Sequence, residues 1–169
     1  METLVHNGMK IGTIQNNYLL FWDGIFSQWY PSEFTINKIQ FNCAEQYMMY
    51  NKAMLFNDIV SAIKIMSANS PHKQKKLGKL VKNFDSSIWD ANAKNIVYAG
   101  NFAKFTQNDT LLDGLKKTNQ LILVEASPYD KIWGIGLFET DSLAGNCETW
   151  QGKNWLGEVL TKLKFNLIK

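Results

Sequence analysis

The spacing of apolar and polar residues changes period at Cys43. Ahead of it lie short extended segments, Tyr18 to Trp22, Phe34 to Ile36 and Lys38 to Phe41, and the Ile36-Asn37-Lys38 step predicts a tight turn. Beyond it, apolar or aromatic residues recur at Tyr47, Met48, Tyr50, Met54 and Leu55, a helical spacing with Asn42 as candidate N-cap. Asp58 to Met66 predicts a second helix that ends near Ser67-Ala68-Asn69-Ser70. Pro71 suits the first turn of a third, His72 to Val81, capped by Ser70. Ile88 to Phe105 and Leu111 to Thr118 read as two more helices, with Asn119 suited to a left-handed C-terminal cap. A strand (Leu121 to Val124), a glycine-containing loop (Leu143 to Gly152) and a last amphipathic helix from about Leu156 to Leu167 complete the pattern. With no repeat and no linker, the expected fold is α+β: one domain over 1–169, mainly α-helical with a small β-sheet.

Composition narrows the class. A chain of 169 residues, 46% hydrophobic and 20% charged, can bury a core of its own. The net charge of +3 is too small to signal nucleic acid, and the densest basic cluster, Lys73, Lys75, Lys76, Lys79 and Lys82, reads first as a solvated helix face. All 18 basic residues are lysines, so any phosphate contact comes from ammonium groups, backbone N–H or helix N-termini, not from a guanidinium fork. Cys43 and Cys147 lie far apart, and with only His6 and His72 no zinc spacing exists. Neither a signal-type apolar segment nor a membrane-length one is present in the sequence, so the expectation is a reduced, cytoplasmic protein without metal or cofactor.

Two groups of residues stand out chemically. Glu45 and Lys52 are seven positions apart on a predicted helix and so share a face two turns apart, with Met48 and Met49 between them. A solvated helix face explains them in one way; a cleft that tunes both pKa values explains them in another. The second group is Glu125, Asp130 and Trp133. Ser127-Pro128-Tyr129-Asp130 is a good β-turn sequence, and Asp130 serves equally well as its cap. Glu125 resists that reading, because a carboxylate at the end of a buried strand is costly unless paired or used. Gly134 and Gly136 lack the spacing of a dinucleotide fingerprint and read as points of close backbone approach to a ligand. Trp89, Lys94, Lys104, Phe105 and Gln107 form a third group, more ordinary for helix residues as core and flank.

The segments Phe26-Ser-Gln-Trp-Tyr-Pro31, Phe41-Asn-Cys-Ala-Glu-Gln-Tyr-Met48, Lys52-Ala53 with Phe56-Asn-Asp58, Leu77-Gly78 and Trp89 occur in that order. Ala103-Lys-Phe105, Thr118, Val124 to Gly136 and Trp150-Gln-Gly-Lys-Asn-Trp-Leu-Gly157 follow. Over about residues 26–167 the series resembles the NADAR family, whose bacterial members include an N-glycosidase of riboflavin-biosynthesis intermediates. The resemblance implies hydrolysis of the N-glycosidic bond between a phosphate-bearing ribose, or ADP-ribose, and a base-like exocyclic amine. Ribosylamino-pyrimidine phosphates and ADP-ribosyl-guanine are the implied substrate types, the latter also within nucleic acid, with no membrane and no obligate protein partner. It implies catalytic roles for Glu125, Glu45, Lys52 and Asp130, and substrate contacts from Trp89, Trp133 and Lys104; Gly134, as a point of close backbone approach, and Lys79 are expected to join the substrate contacts. Lys79 stands where the family often carries arginine, and Asn119 where it often carries glycine.

Two routes fit these residues. In one, a neutral Lys52 attacks the C1′ of a ring-opened glycosylamine while Glu45 or Glu125 shuttles protons. In the other, one carboxylate supports an oxocarbenium-like transition state or activates water, and a second acid protonates the leaving amine. The carboxylate route is slightly favoured for Glu125 and Asp130. A non-catalytic binder of ADP-ribose or a related nucleotide is the rival class.

Overall fold

A computed structural model describes residues 1–168. The strands are β1 (Glu2–His6), β2 (Met9–Gln15), β3 (Tyr18–Phe21), β4 (Phe34–Ile36), β5 (Ile39–Phe41) and β6 (Ile122–Glu125). The helices are α1 (Ala44–Leu55), α2 (Ile59–Ser67), α3 (Pro71–Gly78), α4 (Ser86–Thr106), α5 (Asp109–Lys117) and α6 (Trp155–Leu167). The architecture is α+β, and the chain divides into two compact units, one formed by residues 1–27 with 109 onward, the other by residues 28–108.

The first unit is built on a four-stranded sheet of order β1-β2-β3-β6. β1, β2 and β3 form an antiparallel meander, and β6 returns parallel to β3 with Tyr18 opposite Ile122 and Phe21 opposite Glu125. The hydrophobic pattern alone does not announce β1 and β2, because their outer residues are largely exposed. Their signal is the turn: Asn7 and Gly8 both take positive φ, the conformation that a two-residue hairpin requires. Leu20, Val124, Ala126, Ile135, Leu137 and Ala144 form one buried cluster, against which Tyr18, Ile122 and Trp150 pack.

The second unit places the β4–β5 hairpin and α2, α3 and α4 around α1 and its flanks. The hairpin turns at Asn37 and Lys38, both at positive φ, at the step expected from the sequence. Phe34, Phe41, Tyr47 and Ala103 form its core, with the Phe41 and Tyr47 rings edge-on at 5.0 Å.

Helix ends shift from the expected positions for local reasons. Cys43, not Asn42, is the N-cap of α1, in extended geometry and without a side-chain cap. The Gln46 carboxamide reaches back one turn to accept the Asn42 N–H at 2.8 Å instead. α3 begins as expected, with Ser70 accepting from Lys73 N–H, but stops at Gly78, short of Val81. Asp85 caps α4 by accepting the Ile88 N–H at 3.0 Å. β6 extends one residue further than expected, so Glu125 lies in the strand itself. Asn119 takes the left-handed conformation anticipated for it. No helix among the described residues is long and apolar enough to cross a membrane.

Candidate functional site

In the second unit, α1 carries Glu45 in its first turn and Lys52 in its last. A carboxylate in the first turn complements the helix dipole, as does a lysine in the last. Glu45 is buried, and its N–H donates to the Gln28 carbonyl at 2.9 Å, which fixes the helix start. Lys52 is half-buried against two rings, its Nζ lying 4.4 Å from the Phe84 centroid and 5.5 Å from that of Trp89. Desolvation lowers its pKa, Glu45 pulls it back up, and Lys79 pushes it down again. Glu45, Lys52, Lys79, Trp89 and Phe84 therefore form one electrostatic and aromatic neighbourhood. Phe84 escapes sequence reasoning, since a single phenylalanine between Asn83 and Asp85 belongs to no periodic pattern.

Lys104 projects from α4 and is fully buried, its Nζ over the rings of Tyr30 and Phe105 at 5.8 and 5.2 Å. Burial pushes its pKa down to about 7, against the pull of Cys43. Burial also pushes the Cys43 thiol up to about 11; its Sγ donates to Gln74 Oε1 at 3.2 Å. Lys104 is thus an interior amine, quite unlike the exposed Lys79.

The first unit holds the other group. Glu125 ends β6, half-exposed as a residue but with Oε2 buried. Its carbonyl accepts from Ile135 N–H and its own N–H donates to Asn154 Oδ1, both at 2.9 Å. Asp130 Oδ1 accepts from the N–H groups of Ile132 and Trp133 at 2.9 and 2.8 Å, which is the turn-capping role that its sequence context suggests. Trp133 stands edge-on to Trp155 at 5.6 Å. Gly134 does make a close backbone approach, to its own chain: a Cβ there would meet Asp130 O and Glu125 O at 2.9 and 3.0 Å. An open cavity of about 510 Å³ lies elsewhere in this unit, between Tyr18, Ile122 and Trp150 and the α6 residues Thr161 and Phe165. Trp150 and Asn154, from the segment 150–157 expected to close the pocket, line it, whereas Glu125, Asp130, Trp133 and Gly134 do not. Among the described residues no group of three or more His, Cys, Asp or Glu side chains could hold a metal ion.

The model of the NADAR domain matches residues 20–168. The chain belongs to the NADAR family. An N-glycosidase of Acanthamoeba polyphaga mimivirus is 46% identical over 145 residues, 83% of this chain and 85% of its own length. The protein irg-1 of Caenorhabditis elegans is 36% identical over 168 residues, 89% of this chain and 79% of its own. The solution structure of the Escherichia coli protein YbiA superposes with a TM-score of 0.74 at 23% identity, covering 93% of this chain and 88% of that one; it shares the fold. As a NADAR domain with an N-glycosidase among its relatives at this identity, the chain is an enzyme of the N-glycosidase class.

Proposed function

We propose that the protein hydrolyses the N-glycosidic bond joining a phosphate-bearing ribose, free or within ADP-ribose, to the exocyclic amine of a base-like ring. The observation that carries this reading is the setting of Lys52: a partly desolvated amine boxed by Phe84 and Trp89, its pKa lowered, with Glu45 and Lys79 in electrostatic reach. A neutral amine is a nucleophile, and a glycosylamine that ring-opens offers an imine carbon at C1′. Lys52 Nζ adds to the C1′ imine carbon and passes one proton to the exocyclic nitrogen; the C1′–N bond to the base then breaks as the second Lys52 proton moves to that nitrogen, so the free amine leaves and a Lys52–C1′ imine remains. Water then adds to the Lys52–C1′ imine, and loss of the lysine amine releases the sugar. Trp89 and Phe84 offer faces for the base, with stacking of order 1–3 kcal/mol per ring. Lys79, exposed and within electrostatic reach of Lys52, is the charge left for the phosphate in a chain without arginine.

A second reading keeps Lys52 as a binding group and gives the chemistry to Glu125, as charge stabiliser or base in a direct hydrolysis. The observation favouring it is the fixed backbone of Glu125, tied at N–H and C=O alike. Borohydride trapping during turnover of a ribosylamino-pyrimidine phosphate and of ADP-ribosyl-guanosine separates the two. An adduct on Lys52 by mass spectrometry is expected; turnover without any adduct sinks the imine route. Glu125→Gln is expected to abolish turnover while the protein stays folded, and near-normal rates in it remove Glu125 from the site.

A further inference from the structure

β6 is an edge strand, yet it has no bare edge. Its even residues face β3: Ile122 N–H donates to Asn17 O, and Ala126 N–H, just past the strand, to Phe21 O. Its odd residues point their N–H and C=O groups outward, where no strand follows among the described residues. Each outward group nevertheless has a partner. Leu121 O accepts from Lys164 Nζ, and Leu123 N–H donates to Thr161 Oγ1 at 3.0 Å. Leu123 O accepts from Asn154 Nδ2 at 3.2 Å, Glu125 N–H donates to Asn154 Oδ1 at 2.9 Å, and Glu125 O accepts from Ile135 N–H.

The Asn154 contacts have a specific form. In a parallel ladder, one residue of a neighbouring strand donates to a carbonyl and accepts from the N–H two residues further along. The Asn154 carboxamide does this to Leu123 and Glu125, so one side chain replaces one residue of the missing strand. The pattern also fixes its orientation, since a flipped amide would set NH₂ against N–H and oxygen against oxygen. Asn154 is 3% exposed and its backbone is left-handed, φ 54°, at the N-cap of α6. Gly157 lies against the same carboxamide, where any Cβ would collide with Asn154 and with Leu123 O. A left-handed asparagine followed three residues later by glycine thus seats a peptide-like group on the strand.

We infer that Asn154 is a positioning residue for Glu125: by standing in for an absent strand it sets the terminal peptide of β6, and with it the direction of the Glu125 carboxylate. This inference rests on the reading of Glu125 as a catalytic residue. Thr161 and Lys164 brace the same edge further from Glu125 and supply the control.

The test uses Asn154→Gly, which keeps the left-handed backbone without strain and deletes only the carboxamide. Displacement of a catalytic group by an ångström is worth about 100-fold in rate. The expected result with a ribosylamino-pyrimidine phosphate is therefore a loss of kcat of about that size, with KM within about threefold. Asn154→Asp, which keeps the acceptor for Glu125 N–H but turns a buried carboxylate oxygen toward Leu123 O, is expected to recover only part of that loss. Thr161→Val, which also removes a bond to the edge, is expected to hold kcat within about threefold. Wild-type kcat in folded Asn154→Gly overturns the inference, and so does a loss of equal size in Thr161→Val, because the effect is then general weakening of the edge. If Asn154→Gly does not fold, Asn154→Asp decides alone: a partial loss of kcat with KM within about threefold supports the inference, and wild-type kcat overturns it. Glu125→Gln run beside them separates the two levels: active, it removes the catalytic reading itself; inactive beside a fully active Asn154→Gly, it removes the positioning role alone.

Discussion

Replacing Lys104 with methionine isolates what an interior amine does to the pH dependence of stability. The side chain is 0% exposed, packed over the Tyr30 and Phe105 rings, and burial pushes its pKa down to about 7. In the unfolded chain a lysine keeps its proton to about pH 10.4. Between those values the unfolded state binds one more proton than the folded state, so stability rises with pH. One proton corresponds to about 1.4 kcal/mol per pH unit. Relative to Lys104→Met, the native chain should therefore gain roughly 2 kcal/mol between pH 7.5 and 9. Below pH 7 the folded lysine carries its proton too, and the difference levels off. Cys43, held up to about 11, acts with the opposite sign above pH 9, but both proteins contain it. The lowered pKa values of Lys52 and Lys164 are likewise common to both. Urea unfolding at several pH values, followed by tryptophan fluorescence, gives the two curves. A stability difference that stays flat from pH 7.5 to 9 refutes the reasoning, because Lys104 would then be charged in the folded protein.

Lys52 should give kcat/KM a limb that rises with pH and levels below the ordinary lysine range, since its neutral form attacks and its pKa is lowered. Lys79→Met removes a charge that lowers that pKa, so the limb should move to higher pH in the rate profile; an unmoved limb detaches Lys79 from the site. Gly157→Ala forces a methyl against Leu123 O and should cost about 1–3 kcal/mol, read as a lower melting temperature. Asp85→Ala removes the N-cap of α4 and should cost about 1 kcal/mol by chemical denaturation, with Asp85→Asn close to wild type.

What the sequence reveals of this molecule follows how local each signal is. Helical periodicity and caps such as Ser70 and Asn119 need only neighbours along the chain, and they lie where expected. The β1–β2 hairpin is half-exposed, so its pattern is faint and only Asn7-Gly8 marks it. Asp130 is ambiguous for the same reason: its turn explains it fully without a substrate. Glu125 is legible as an acid out of place, but nothing in the sequence says that its N–H is held by a residue 29 positions later. Lys104 is harder still. A lysine next to phenylalanine on a helix reads as a flank, and only tertiary packing makes it interior. Phe84 meets Lys52 by the same kind of long-range contact.

Glycine and asparagine divide the backbone between them in a way that bears on how this chain tolerates change. Among the described residues, eight non-glycine residues are at positive φ; seven are asparagines, Asn154 among them, and the eighth is Lys38. Of eleven glycines, only Gly8, Gly24 and Gly136 are at positive φ; at each of the other eight a Cβ would approach another atom closer than 3.0 Å. Asparagine therefore makes the left-handed corners, and glycine is kept mainly for places where two parts of the chain nearly touch. The unfolded ensemble is narrower as a result, because each asparagine corner has less freedom to lose than glycine would. Sequence drift should then run one way: asparagine to glycine at an exposed corner is a mild change, while glycine to asparagine at Gly100 or Gly157 meets a wall.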